Sequence, residues 1–217
     1  MLYIVATPIG NLKDITLRAI EVLKNVDLIA CEDTRHSRIL LKSYHINTPT
    51  TSYYQHNRFS KAQYLISRLK SNADIALISD AGMPGILDPG HHLINLAIKN
   101  NIPITAVPGP TALVMALVLS GQPTHEFIFA GFLPNRASAR RRRLEELRRL
   151  DYTILFYESR HRIIATLQDI QDIFGDIPLV VTRELTKKFE EILRLKVSQI
   201  RECLVKKKPR GEFVVVI

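Results

Sequence analysis

Three times in its first half this chain runs a short apolar segment into a turn crowded with proline and glycine, and each time a helical pattern follows. The runs are Tyr3-Ile4-Val5-Ala6, Ile75-Ala76-Leu77-Ile78 and Ile102-Pro103-Ile104-Thr105-Ala106-Val107, with a fourth at 27–31. Short β-branched runs alternating with helical periodicity, here at 17–23, 37–43, 60–70, 92–99 and after Pro110, are the pattern of an α/β fold. The second half repeats it, with strands at 127–130, 153–157, 179–182 and 213–217 and helices from 138, at 161–174 and at 197–204. Between the halves, Ser120-Gly121-Gln122-Pro123-Thr124 is punctuation dense enough to end a domain. Two α/β domains are expected, 1–120 and 121–217, with no internal repeat.

With 46% apolar residues in 217, the chain can bury a real core. Cys31 and Cys203 make no CxxC pair and join no Cys/His cluster, so they read as two buried thiols in a reducing compartment, and no metal site is expected. Met1 to Ala6 lacks the basic flank of a signal peptide. The apolar run at 112–119 is far short of the roughly 20 residues that span a bilayer, so a soluble, cytoplasmic protein is expected. The formal charge of +9 favours a polyanionic partner. It gathers in Arg136, Arg140, Arg141, Arg142, Arg143, Arg148 and Arg149, set against Glu145 and Glu146, and in Lys206-Lys207-Lys208-Pro209-Arg210. Either cluster alone fits a solvated helix face; the two together point to nucleic acid.

Neither GxGxxG nor GxxxxGK[ST] occurs, so ordinary nucleotide-binding folds lose ground. The turn Thr7-Pro8-Ile9-Gly10-Asn11-Leu12 alone reads as structural. The stretch from Ser79 to Gly90 says more, because Asp80 stands directly at the end of a buried strand, where ligand sites of open α/β sheets cluster. Val107-Pro108-Gly109-Pro110-Thr111-Ala112 repeats the logic, with Pro110 or Thr111 opening a helix whose first N–H groups lack intrahelical partners. Three such turns after three strands of one half are expected to converge on one crevice suited to a ligand. Their composition leaves that ligand's identity open.

A set of ordered segments adds to this. Val5-Ala6-Thr7-Pro8-Ile9-Gly10-Asn11-Leu12-Lys13-Asp14-Ile15-Thr16, Glu32-Asp33-Thr34-Arg35, Ser52-Tyr53-Tyr54-Gln55-His56-Asn57, 79–90, 107–112, Gly131-Phe132-Leu133-Pro134, Phe156-Tyr157-Glu158-Ser159, Arg183-Glu184-Leu185-Thr186-Lys187 and Gly211-Glu212-Phe213 run through essentially the whole chain. In that order they closely resemble the tetrapyrrole-methylase superfamily and, within it, the ribosomal RNA small-subunit methyltransferase I family. Met83, Arg160 and Phe189 depart from the family's usual threonine, proline and histidine, and the helical extension of many members is not expected after Ile217. The resemblance implies two α/β domains of the class III methyltransferase type with S-adenosyl-L-methionine in the interdomain cleft. By motif, its contacts would be Pro8, Asp80, Ala81, Gly82, Thr111, Ala112, Leu133 and Tyr157. It also implies transfer to the 2'-hydroxyl of a cytidine ribose in the decoding region of 16S rRNA, with the 16S rRNA or small ribosomal subunit as partner, and a homodimer.

A ribose hydroxyl is a very weak acid, so a base or a cation near the developing alkoxide should help. Glu32, Asp33, Glu158, Glu184 and Lys187 all follow strands and all read equally as caps or salt bridges, capping being the plainer reading of 32–35. Glu184 with Lys187 is the pair assigned to the ribose. For RNA, Tyr53, Tyr54 and His56 are expected to stack on unpaired bases, although loop packing explains them as well. Arg136, Arg140, Arg141 and Arg143 are expected to hold phosphates. Two other functions fit: a methyltransferase of tetrapyrroles or other small molecules, and a catalytically silent rRNA-binding assembly factor, which cofactor affinity would separate.

Overall fold

Leu2, Ile4, Ile75 and Leu77 enter one apolar cluster and Val5, Ala76 and Ile78 another, the two-residue alternation of extended chain with both faces covered. These residues belong to β1 (Leu2–Val5) and β4 (Ile75–Ile78), which with β2 (Leu28–Cys31), β3 (Thr50–Ser52) and β5 (Ile104–Val107) form a parallel sheet in the order β3-β2-β4-β1-β5. Helices α1 (Leu17–Asn25) and α2 (Thr34–Ser43) cover one face through Ala19, Leu23, Leu40 and Leu41. The opposite face takes α3 (Arg58–Lys70) and α4 (Gly90–Lys99) through Ala62, Leu65, Leu69, Leu93 and Ala97. Connections that step toward β3 run on one face and those that step back run on the other, as right-handed crossovers demand. The computed structural model describes residues 1–217 and groups them into two units, Met1–Thr111 and Ala112–Ile217.

The second unit holds a mixed sheet in the order β6-β7-β10-β8-β9, from β6 (Phe127–Phe132), β7 (Thr153–Ser159), β8 (Pro178–Arg183), β9 (Glu191–Lys196) and β10 (Glu212–Val216). Only β6 and β7 pair in parallel. Ile154, Phe156, Leu179, Val181, Phe213 and Val215 face α6 (Ala137–Arg148), α7 (Ile163–Phe174) and α8 (Val197–Lys207). The remaining helix, α5 (Ala112–Ser120), lies against β7 and β10 and so groups with this unit, although the punctuation at 120–124 suggests a boundary after it. Its near-uniform apolar sequence gives no face preference; the structure buries Leu113, Ala116 and Leu117 and exposes Val114 and Val118.

Two strands escape the sequence pattern. β3 is three polar residues at a sheet edge, and β9 is an edge strand carrying charge at Glu191, Arg194 and Lys196. Both are set by pairing, β9 opposite β8 with Val181 beside Leu193, rather than by their own hydrophobicity.

The arginine helix is also corrected. Arg140 is only 5% exposed, its Nη2 lying 2.7 Å from the buried Asp169 carboxylate. Arg141 bonds Asp169 at 2.9 Å and Asp172 at 2.7 Å. Both fasten α6 to α7; Arg140, being buried, is not available to phosphates, contrary to the expectation for it, and Arg141, partly exposed, has its charge offset by two carboxylates. Arg143 pairs with Glu146 at 3.0 Å, and Arg136 is exposed. Removing one member of a buried pair strands the other charge, a loss on the order of 3–5 kcal/mol. Asp169→Ala is therefore expected to lower the thermal unfolding midpoint by several degrees, while Arg142→Ala, at an exposed position, changes stability by less than about 0.5 kcal/mol.

Candidate active site

The three turns of the first unit do meet. Thr7 and Gly82 exchange backbone hydrogen bonds, N–H to O at 2.9 and 3.0 Å, as an isolated bridge beyond the ends of β1 and β4. Thr7 Oγ1 also donates to the Ser79 carbonyl at 3.0 Å. Gly82 sits at φ +82°, a left-handed conformation, with space for a Cβ bounded by Ile9 and the Pro110 carbonyl. A Cβ on Gly109 would come within 2.8 Å of the Ala6 side chain. The turn after β5 is thus pressed onto the end of β1 as closely as backbone allows.

Around this clasp Pro8 is buried, Ala81 exposed, and Asp80 and Thr111 half-buried. One Asp80 carboxylate oxygen accepts the Asp33 N–H at 3.2 Å; the other makes no hydrogen bond. Asp88 ties the rest of the loop, accepting N–H groups of Gly85 at 2.6 Å and Gly90 at 2.9 Å. The residues fit a polar ligand with hydroxyl groups: glycines keep backbone accessible, and a carboxylate oxygen is unspent at the end of a parallel strand. No group of His, Cys, Asp and Glu is arranged to hold a metal ion.

Of the nearby residues, Asp33 follows its plainer reading as a cap, whereas Tyr53 departs from its expectation. Asp33 is the N-cap of α2, accepting the Arg35 N–H at 2.8 Å, and the Arg35 side-chain hydrogen bond leads the contacts that hold its carboxyl at about 2. Tyr53, expected to stack on RNA, is 1% exposed; its hydroxyl donates to the Pro89 carbonyl at 3.1 Å, and burial pushes the phenol up to about 12. It braces the ligand loop from inside. Glu32 lines a small cavity with Tyr53, Ser79 and Asp88, and burial followed by the charges of Asp80 and Asp88 raises its pKa.

In the second unit, Glu158 is fully committed. It is 1% exposed, and its oxygens accept from Ser159 N–H at 2.7 Å, Arg162 Nε at 2.9 Å and Nη2 at 3.0 Å, and Thr166 Oγ1 at 2.7 Å. Arg162 carries the clamp onward, donating to the Leu133 carbonyl at 2.8 Å and to Asn135. A carboxylate so saturated has no capacity for a ribose proton; what it does is fix the backbone of Leu133. Tyr157 lies edge-on to Phe129 at 4.9 Å and Phe132 at 5.7 Å, beside the irregular β6 register where Gly131 takes φ +67°. Ser159 and Arg162 lie near Glu158 in sequence, but Thr166, in the first turn of α7, is eight residues on.

Glu184 and Lys187 do form a pair. Lys187 Nζ is 2.9 Å from Glu184 Oε1 and 3.2 Å from Glu212 Oε2. Glu184 and Thr186 take left-handed φ of 52° and 67°, strained for residues with side chains. Gly211, at φ +87°, is what makes room: a Cβ there would overlap the Glu184 carboxyl group. Burial raises the Glu184 pKa, but hydrogen bonds from Lys187 and the Glu212 N–H outweigh it and leave the carboxyl below its usual value. Burial likewise opposes the charge on Lys187, and bonding to Glu184 and Glu212 outweighs it, leaving the ammonium above the usual lysine value. At neutral pH the site presents a carboxylate and a cation, the cation being a donor for developing negative charge.

The model of the Tetrapyrrole (Corrin/Porphyrin) Methylases matches residues 1–201. The ribosomal RNA small subunit methyltransferase I of Thermotoga maritima is 45% identical over 216 residues, covering 100% of this chain and 97% of that protein. That of Bacillus subtilis is 43% identical over 217 residues, covering 100% and 74%. Among solved structures, diphthine synthase superposes with a TM-score of 0.77 at 13% identity, covering 100% of this chain and 88% of that one. Uroporphyrin-III C-methyl transferase from Thermus thermophilus, complexed with S-adenyl homocysteine, gives 0.69 at 16% identity, covering 99% and 96%. At such identities the superpositions establish the fold, two α/β units of the tetrapyrrole-methylase type. The near full-length identities establish more: the chain belongs to the tetrapyrrole methylases and, within them, to the ribosomal RNA small subunit methyltransferase I family.

Proposed function

We propose that this protein is an S-adenosylmethionine-dependent methyltransferase that modifies the 2'-hydroxyl of a cytidine ribose in the decoding region of 16S rRNA, acting on the rRNA or the small ribosomal subunit. The observation that carries this reading is the 45% identity, over the whole chain and 97% of the relative, to a protein named for ribosomal RNA small subunit methylation. No helix is long and apolar enough to cross a membrane, and the cytoplasm, where ribosomes are made, is the proposed location. A homodimer, which the resemblance implies, is part of the proposal.

The donor supplies an electrophilic methyl group. Proposed contacts to it are Pro8, Asp80, Ala81, Gly82, Thr111, Ala112, Leu133 and Tyr157, with the unspent Asp80 oxygen suited to ribose hydroxyls and the Glu158–Arg162 clamp holding the Leu133 carbonyl in place. Positioning provides much of the rate in such a transfer. For the acceptor, Lys187 is assigned to stabilise the developing alkoxide while the hydroxyl proton passes to solvent water, and Glu184 to keep Lys187 charged and aimed. Of the RNA contacts, Arg136, Arg143 and His56 are retained; Arg140, Arg141 and Tyr53 are not.

Mass spectrometry of 16S rRNA fragments from cells lacking the protein should show one ribose methyl group missing; an unchanged methylation map would reject the proposal. Gly109→Val forces the third turn off Ala6 and is expected to weaken S-adenosylmethionine binding at least ~10-fold by calorimetry, with the circular dichroism of the fold retained. Lys187→Ala should lower the single-turnover rate by about 10²–10³-fold. The pH dependence follows from the pair. Glu184, held below its usual value, loses its charge only as pH falls through that lowered pKa, and Lys187, held above its usual value, keeps its proton until pH rises through the raised one. Activity should therefore be level across neutral pH. Glu184→Gln should move the alkaline fall to lower pH, and an unmoved alkaline limb would remove Glu184 from its positioning role.

A further inference from the structure

Almost all of this protein's excess positive charge comes from one stretch. Residues 34–73 contain no aspartate or glutamate and carry Arg35, Arg38, Lys42, Arg58, Lys61, Arg68 and Lys70. Those seven cations leave 23 Lys and Arg against all 21 Asp and Glu in the rest of the chain, so the segment accounts for +7 of the formal +9. The arginine and lysine clusters that draw the eye at 136–149 and 206–210 lie in the nearly neutral remainder, and the first is largely spent on Asp169, Asp172 and Glu146.

The structure places the acid-free stretch on α2, β3 and α3, at the β3 edge of the first sheet. Arg35 pairs with its own helix cap Asp33 at 2.9 Å. Arg38, Lys42, Arg58, Lys61, Arg68 and Lys70 form no salt bridge. Interleaved with them are three large exposed rings, Phe59 at 61%, Tyr64 at 42% and Tyr54 at 40%. Each has a basic or imidazole group at its side. The Arg58 guanidinium lies 4.8 Å from the Phe59 ring centre, Lys61 Nζ lies 4.6 Å from that of Tyr64, and His56 lies 6.1 Å from Tyr54. Phe59 also meets His92 of α4 edge-on at 4.9 Å.

Exposed rings interleaved with cations that have no acidic partner suit a single strand of RNA, which stacks its bases on the rings and lays its phosphates on the cations. A duplex hides its base faces and would leave the rings unused. The patch is also next to the ligand turns of its own unit. Tyr53, which opens this loop, holds the Pro89 carbonyl at 3.1 Å, and His92 follows Gly90 at the end of the 79–90 turn. Chain bound here would lead directly to the turns assigned to the methyl donor.

We propose that the face formed by Tyr54, Arg58, Phe59, Lys61, Tyr64 and Arg68 is the principal docking surface for an unpaired stretch of rRNA, and that α6 is secondary to it. This rests on the RNA-methylation reading above. The test compares wild type, Phe59→Ala, and the triple variant Arg58→Ala/Lys61→Ala/Arg68→Ala. Binding of a fluorescently labelled, unstructured 20-nucleotide RNA is followed by anisotropy over a range of salt, together with methylation of small ribosomal subunits from cells lacking the protein. Phe59→Ala should weaken RNA binding about 5- to 100-fold. The triple variant should reduce the slope of log K against log salt by about 2. Both should raise the KM for subunits with S-adenosylmethionine affinity unchanged, which also shows that the fold is intact. Wild-type RNA affinity in both variants would overturn the docking surface, whereas a wild-type protein that neither binds RNA nor methylates subunits would overturn the RNA reading beneath it. Variants that keep RNA affinity but lose methylation of intact subunits would assign the face to a ribosomal protein and also overturn the proposal.

Discussion

The mutual backbone hydrogen bonds between Thr7 and Gly82 determine what the first unit can do. Parallel strands end with their carbonyl edges pointing the same way, and without a tie the turns that follow would splay into solvent. The bridge draws the turns after β1 and β4 together. The close approach of Gly109 to Ala6 adds the turn after β5, and the Asp88 and Tyr53 contacts brace the loop between. These ties use backbone and small residues at the contact points, so they do not draw on Ala81, Thr111 or the second Asp80 oxygen, which belong to the proposed donor site. The glycines there are requirements of geometry, since Gly82 takes a left-handed φ and Gly109 has no space for a side chain.

Much of this was legible in the residues because it is local. An apolar run that ends in Ser-Asp-Ala-Gly or Pro-Gly-Pro-Thr declares a strand, its end and a tight turn together, and the strand-helix alternation declares a parallel sheet. What was not legible depends on partners distant in sequence. Arg140 and Arg141 read as free cations because Asp169 and Asp172 lie one helix further on. Tyr53 reads as an exposed ring because its acceptor, the Pro89 carbonyl, is 36 residues away. β9 carries too much charge for its own pattern to mark a strand, and only pairing with β8 makes it one. α5 is apolar on every side, so its sequence cannot say which sheet it covers.

The same distinction separates the two kinds of charge in the molecule. Dense basic runs are conspicuous, yet density draws in counter-charges during folding, as α6 shows. The absence of acids over 34–73 is inconspicuous because its cations are spaced several residues apart, but nothing in that segment neutralises them. In the second unit the carboxylates divide similarly. Glu158 is saturated by Ser159, Arg162 and Thr166 and serves the backbone of Leu133, whereas Glu184 leaves its lysine half-buried and charged beside a strained turn. One carboxylate is spent on structure, and the other holds a charged lysine, on which the proposed chemistry rests.

The central claim is that this chain transfers a methyl group to an rRNA ribose. The most direct measurement incubates the purified protein with S-adenosylmethionine labelled in its methyl group and small ribosomal subunits from cells that lack the protein, then locates the label by nuclease digestion and mass spectrometry. The expected result is a single labelled cytidine in the decoding region, with the label on the ribose 2'-oxygen. Label on a base, or no transfer to rRNA alongside ready transfer to a tetrapyrrole, would contradict it.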